Sequence, residues 1–138
     1  MSSLVFNSFF DDLAKGAIDC DSDSFKVMLV GVGYTENKDS HTRRSDVTGE
    51  ITGTGYTGGG VAATVNVTKD TTNDRVDITL GAASWPSSTL TGRKAVYYKS
   101  RGGAASADEL VAVIDFGADV STTNGTFSLS ASTIRIQN

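Results

Sequence analysis

The fold class of this chain is decided by residues 61–80, which read VAATVNVTKDTTNDRVDITL. Apolar and polar residues alternate with a period of two over 61–68 and again over 75–80, as in strands with one buried face. The polar residues 69–74 between them are typical of a turn. The stretch therefore predicts an antiparallel hairpin that covers one side of a core.

Further strand-like segments lie on both sides of this hairpin. They occupy residues 25–32, 94–99, 110–116, 127–131 and, as a last short piece, 134–136. Residues 110–116 are nearly all apolar, which predicts that both faces of that strand are covered, and residues 117–125 are expected to form the loop after it. Six or seven strands without a βαβ rhythm predict a mainly β, antiparallel sandwich or barrel-like (jelly-roll-like) domain.

One short α-helix is predicted at the N-terminus, over about residues 3–15. Val5, Phe9 and Leu13 recur at helical spacing, with two more phenylalanines beside them, and form an aromatic stripe. A serine at position 2 or 3 is suited to cap the helix, and Gly16 is suited to end it. We expect the stripe to pack on the chain's own sheet, the alternative being a neighbouring subunit.

Length and charge limit the possible classes of protein. The chain has 138 residues, which fits one domain spanning 1–138, with an extended Gly-rich loop at about 33–60. Residues 42–45 are expected to form a helical turn, and residues 49–60, with six glycines, an excursion from the domain body. A net charge of −4 argues against nucleic-acid binding. The longest apolar run, near 27–32, is too short to span a bilayer, and no secretory signal is evident.

The sequence contains partial matches to nucleotide-binding and metal-binding motifs, and none of them is predicted to bind its ligand. Residues 53–58, GTGYTG, match the dinucleotide pattern G-x-G-x-x-G, but the segment that follows alternates like a strand, so no helix N-terminus meets a phosphate. Residues 19–23, DCDSD, resemble the start of a calcium loop that then lacks its glycine and glutamate. With one histidine, His41, and one cysteine, Cys20, a zinc site lacks ligands. We predict no catalytic, cofactor-binding or metal-binding residue.

Contact residues are expected among the arginines and aromatic residues, which dominate interface hot spots. Trp85, followed by Pro86, is interpreted as a plug at a sheet corner, with an exposed interface anchor as the alternative. A carbohydrate-binding surface that combines Trp85 with one of the two tyrosines at 97 and 98 is a further hypothesis. The residues predicted to contact a partner are Arg43, Arg44, Tyr56, Trp85 and Arg101.

Several stretches resemble, as a set, a family of small virion structural proteins of tailed bacteriophages. They are residues 4–16 (LVFNSFFDDLAKG), 26–30 (KVMLV), 41–47 (HTRRSDV), 53–56 (GTGY), 112–117 (AVIDFG) and 135–137 (RIQ). The resemblance spans nearly the whole chain. It implies no enzyme activity and supplies no catalytic residues.

What the resemblance implies is a capsid cement or head-decoration protein that bridges and stabilises major capsid subunits. The expected partners are the major capsid protein and further copies of this chain, for example in a trimer, with no nucleic acid and no membrane. The expected location is the capsid surface of the virion, after synthesis in the host cytoplasm. The alternatives are a neck, tail or baseplate component, or a virion protein that binds a carbohydrate or receptor.

Overall fold

The computed structural model describes residues 2–138, and these are mainly β, with antiparallel sheets and one short α-helix near the N-terminus, as predicted. In chain order the elements are β1 Ser2–Val5, α1 Asn7–Lys15, β2 Phe25–Val30, β3 Val61–Ala63, β4 Val65–Asp70, β5 Arg75–Leu80, β6 Ala83–Ser88, β7 Thr91–Lys99, β8 Leu110–Ser121, β9 Gly125–Leu129 and β10 Ser132–Gln137. Short 3₁₀ turns occupy Arg44–Asp46 and Ala105–Ala107. None of the helices in this part of the chain is long and apolar enough to cross a membrane.

The strands form three antiparallel sheets. The largest has five strands in the order β1-β8-β7-β2-β3, the second has three in the order β10-β5-β4, and β6 pairs with β9. The predicted hairpin is β4 and β5, in which Val67 lies opposite Ile78. Its alternation sets the register, because a slip of one residue would turn every apolar side chain to the other face.

The main core lies between one face of the five-stranded sheet and the two smaller sheets, in a sandwich-like arrangement. Phe25, Val27 and Leu29 of β2 meet Leu80 of β5 and Trp85 of β6 in this cluster. A second cluster covers the other face of the large sheet, where Tyr34 and Val47 from the segment after β2 pack on it; its strand residues include Met28, Val30, Val96 and Val113. Both faces of β2 and of the first half of β8 are therefore covered, and for β8 this confirms the prediction from its nearly continuous apolar run.

The N-terminus differs from the sequence prediction. Residues 2–5 form β1, paired antiparallel with β8 so that Val5 lies opposite Ala112, and the helix begins only at Asn7. Backbone hydrogen bonds to a long buried strand replace the helical turn there. Gly16 ends the helix in the left-handed conformation, with φ of 79°, as predicted. Phe9 is fully buried in the main core, which confirms that the stripe packs on its own domain, whereas Phe10 is 44% exposed.

Residues 49–60 lie against β2, so the prediction of an excursion from the domain body was wrong. The amide of Ile51 donates to the carbonyl of Leu29 at 3.1 Å, and the amide of Gly31 donates to the carbonyl of Gly49 at 2.9 Å. Gly60, with φ of 81°, approaches so closely that an added Cβ would stand 1.8 Å from the carbonyl oxygen of Val27. The glycines allow backbone to pack directly on backbone.

Two further boundaries differ from the prediction. The alternating run 61–68 is divided at Thr64, whose carbonyl accepts from the amide of Gly81 at 2.7 Å, so its first half pairs with β2 and its second half with β5. β8 continues through most of the predicted loop 117–125, because its end pairs with β7, where Thr91 lies opposite Ser121. The strand β6, which contains Trp85, had no clear alternation in the sequence.

Candidate functional site

Three of the five predicted contact residues, the arginines, are brought to one end of the large sheet. Backbone pairing draws the segment around residue 43 to the start of β8: the amide of Arg44 donates to the carbonyl of Asp108 at 2.8 Å, and Arg43 forms a β-bridge with Glu109. Arg101 reaches the same place from the end of β7. Sequence alone did not show that these residues meet, because the contacts span more than fifty positions.

Two arginines of this cluster, Arg44 and Arg101, are held by buried carboxylates. The Nε of Arg44 donates to Oδ2 of Asp108 at 2.8 Å, and its guanidinium lies 5.1 Å from the centroid of the Tyr98 ring. Nε and Nη2 of Arg101 donate to Oε1 and Oε2 of Glu109, at 2.8 and 2.6 Å. The hydrogen bonds from Arg101 hold the pKa of Glu109 below its usual range. Asp108 and Glu109 are only 1% and 3% exposed, so removing either arginine would leave a buried carboxylate without its partner and destabilise the fold.

Arg43 has the longest ion-pair distance of the three arginines. Its Nη1 stands 4.0 Å from Oδ2 of Asp12, a carboxylate oxygen that lacks a hydrogen-bond partner among the described residues. Burial raises the pKa of Asp12, and the charge of Arg43 opposes that rise. Arg43 and the outer part of Arg101 are thus the portions of this cluster that a partner can reach.

The two predicted aromatic contact residues lie elsewhere: Trp85 is in the core, and Tyr56 is partly buried against it. Trp85 is 1% exposed and packs edge-on against Phe127, with ring centroids 5.8 Å apart. Tyr56 packs on Trp85 at 6.2 Å, donates its hydroxyl hydrogen to Glu50 at 2.6 Å and accepts from the amide of Leu29 at 3.1 Å. Trp85 is therefore a core residue, and its interpretation as an exposed anchor was wrong.

The same burial removes the aromatic surface that the carbohydrate hypothesis used. Tyr97 is 0% exposed and Tyr98 is 1% exposed, and their hydroxyls donate to the backbone carbonyls of Gly81 and Gly59. Sugars stack on exposed rings, and these rings face the two sides of the large sheet within the core clusters. Trp85, Tyr97 and Tyr98 do not form a platform in this fold.

The glycine-rich stretch 53–58 serves packing. An added Cβ on Gly53 would stand 2.8 Å from the carbonyl oxygen of Thr89, and one on Gly55 would stand 2.9 Å from Cβ of Ser88. Thr54 forms a β-bridge with Thr89. The element that follows is the strand β3, as expected. Gly53 and Gly55 both have positive φ angles, which suit glycine.

The acidic turn after the helix is closed by its own hydrogen bonds. Oδ2 of Asp23 accepts from the amide of Asp19 at 2.8 Å and pairs with Nζ of Lys99 at 2.7 Å.

Burial, helped by Asp19 and Asp23, raises the pKa of the Cys20 thiol to about 11. The hydroxyl of Tyr34 is 2.9 Å from Nδ1 of His41. Across residues 2–138, no group of three or more His, Cys, Asp or Glu side chains is placed to hold a metal ion.

A groove that sequence reasoning missed lies between the end of the helix and the three-stranded sheet. We call it the sheet-end groove; its volume is about 600 Å³, and its apolar lining is Leu13, Ile18, Val67, Val76, Ile78 and Ile136. Its charged lining is Asp19, Asp21 and Lys69. The alternation in β4 and β5 signalled an apolar face, but it did not show that this face extends beyond the core.

Comparison of the chain with family models, with curated proteins and with solved structures found no match.

Proposed function

We propose that this chain is a structural protein of a tailed-bacteriophage virion, a capsid cement protein that bridges and stabilises major capsid subunits. The sequence resemblance motivates the proposal. The observation that carries it is the sheet-end groove, an open surface on which Val67 and Ile136 are 42% and 45% exposed. Apolar side chains exposed together in one concave place are typical of a protein contact surface.

The charged residues support the same proposal in a different way. Ten ion pairs join charged side chains within residues 2–138, and the carboxylates of two of them, Asp108 and Glu109, are almost fully buried. These groups maintain the shape of the domain. A cement protein needs a rigid domain of this kind, because a bridge stabilises a shell only if it does not itself deform.

A cement protein acts by mass action. If it binds the assembled shell and not the separated capsid subunits, its binding free energy is added to the stability of the assembled form. A shell repeats the contact at every equivalent junction, so a modest affinity for each site stabilises the whole. The proposal includes self-association, for example as a trimer, at the junctions where capsid subunits meet.

The experiment is a virion preparation that lacks this protein. Its heads should assemble, but they should lose their DNA at a lower temperature and under milder osmotic shock than complete heads. Adding the purified protein should restore their resistance. Heads that are equally robust without the protein would refute the cement role.

The number of copies of this protein in each virion distinguishes a head protein from a component of the neck, tail or baseplate. Quantitative mass spectrometry of virions should give a copy number comparable with that of the major capsid protein. A copy number that matches one ring of the neck or tail would move the protein to that part of the virion.

A further inference from the structure

The inner face of the three-stranded sheet is covered by the core only in part. Leu80 and Ile78 of the central strand β5 are 1% and 3% exposed, but on the same face of the two edge strands Val67 of β4 is 42% exposed and Ile136 of β10 is 45% exposed. The register places these side chains in one surface, since Val67 lies opposite Ile78 and Ile136 lies opposite Val76. The edge strands therefore expose apolar side chains on the face that covers the core.

The outer face of the same sheet is polar and internally paired. Arg75 contacts Asp70 at 3.3 Å, and Arg135 contacts Asp77 at 2.8 Å. The apolar exposure is thus confined to the side that faces the sheet-end groove. Burying that side of a strand stabilises a complex by roughly 25 cal/mol per Å² of apolar surface, before the costs of association.

The charges at the groove are unbalanced. Asp19 and Asp21 line it and, among the described residues, neither has a cationic side chain within 4.0 Å, whereas other carboxylates nearby are paired, such as Asp11 with Lys15 at 2.9 Å. Oδ1 of Asp19 accepts from the amide of Asp21, which holds the turn but leaves its charge uncompensated. Lys69 is the one described cationic side chain in the lining.

We propose that the sheet-end groove docks an apolar segment of a different protein, and that this segment carries a lysine or arginine that meets Asp19 and Asp21. The apolar residues supply the binding energy, and the two carboxylates select the partner and orient it. The inference rests on the proposed function, in which the partner is the major capsid protein, and it identifies the surface and the chemistry of that contact.

The same charges argue against two other occupants. A second copy of this chain, docked groove to groove, would bring together four carboxylates, Asp19 and Asp21 of each copy, with only two lysines, Lys69 of each copy, and this excess of like charge opposes association. An anionic membrane surface attracts basic segments, and this groove presents carboxylates. Both occupants remain outcomes of the test.

The experiment measures binding of the purified protein to heads that lack it, by co-sedimentation over a range of concentrations. The test variant is Val67→Glu, and the matched control is Val120→Glu, because Val120 is 40% exposed but lies outside the groove at the end of β8. We expect Val67→Glu to weaken binding at least about tenfold and Val120→Glu to change it less than about twofold. Ile136→Ser provides a second groove variant if Val67→Glu does not fold.

A double variant tests the charge selection separately. Asp19→Asn with Asp21→Asn keeps the side-chain oxygen that holds the turn but removes both charges. It should bind the heads about three- to tenfold more weakly at low salt, and its affinity should depend less on salt concentration than that of the wild type. An unchanged affinity and salt dependence would refute the cationic partner.

The outcomes separate this inference from the proposed function. If the wild type does not bind the heads, the cement role fails and this inference fails with it. If the wild type binds and both glutamate variants bind equally well, the role stands and the groove is the wrong surface. The docking inference also fails if Val67→Glu instead dissociates a wild-type oligomer in analytical ultracentrifugation. Binding of the wild type to phosphatidylglycerol vesicles, lost in Val67→Glu, would likewise overturn it.

Discussion

Replacing Gly60 with alanine should be among the most damaging single changes in this chain. Gly60 has φ of 81°, a left-handed conformation that costs a residue with a Cβ about 1–2 kcal/mol. The new Cβ would stand 1.8 Å from the carbonyl oxygen of Val27 and 2.7 Å from Cα of Met28. Both are backbone atoms of a central strand, so no side-chain rotation relieves the clash.

Relief requires the 49–60 segment to move away from β2. That movement strains the pairing of β3 with β2, in which Val61 lies opposite Val27, and each lost backbone hydrogen bond costs about 1 kcal/mol. If the bonds of Ile51 with Leu29 and of Gly31 with Gly49 are lost, the sum is about 3–4 kcal/mol, a large share of the roughly 5–15 kcal/mol that stabilises a domain. Urea unfolding followed by the fluorescence of the buried Trp85 measures the loss.

The matched control is Gly58→Ala. Gly58 has no positive φ, and an added Cβ would meet no heavy atom within 4 Å, so the change should alter stability by less than about 1 kcal/mol. If Gly60→Ala unfolds within about 1 kcal/mol of the wild type, the close approach of this segment to β2 is wrong.

Three further predictions follow from buried side chains. Phe9→Ala should cost about 3–5 kcal/mol in urea unfolding because the ring is fully buried, whereas Phe10→Ala, at a 44% exposed ring, should cost less than about 1 kcal/mol; equal costs would contradict the assigned faces of α1. Glu109→Gln should lower the unfolding midpoint at pH 7, and because Arg101 depresses the pKa of Glu109, the difference from the wild type should shrink as pH falls below the ordinary glutamate range; a difference independent of pH would contradict the ion pair. The Cys20 thiol, with its pKa raised to about 11, should react slowly with a disulfide reagent at pH 8 in the folded protein and rapidly after unfolding in urea, and fast reaction of the folded protein would place Cys20 at the surface.

The sequence was most informative where one short-range pattern determined the structure. Alternation over 75–80 fixed both the strand and the side that faces the core, and the continuous apolar run at 110–114 identified a strand covered on both faces. Gly16 marked the end of the helix because a left-handed residue there is nearly free of strain only for glycine.

The pattern failed where two structures satisfied it equally. Val5 lies at helical spacing from Phe9, yet it also packs against the main core from the strand β1, so its burial did not reveal which element carries it. The run 61–68 alternates without a break, but its two halves pair with different strands because the chain crosses between sheets at Thr64. Pairing partners are set by tertiary structure, which local spacing does not encode.

The candidate site was predictable only in part for the same reason. Arg43, Arg44 and Arg101 are predicted contacts because arginine is common at interfaces, but the sequence did not show that Asp108 and Glu109 would be buried beneath two of them. Trp85 is a predicted contact for the same reason, and in the fold it fills the core. The sheet-end groove depends on how the helix packs against the three strands, which only the assembled fold shows.

The exposed inner face of the three-stranded sheet connects stability with binding. Leu80 and Ile78 of β5 are anchored in the core, whereas Val76 is only partly buried, and Val67 and Ile136 on the edge strands are about half exposed. Parts of a fold with little buried apolar contact open more easily than the core, so the edge strands are the less stable part of this sheet. An occupant of the groove would cover these three side chains and stabilise the strands that carry them. Binding of a partner there is thus coupled to the stability of the strands that form the groove.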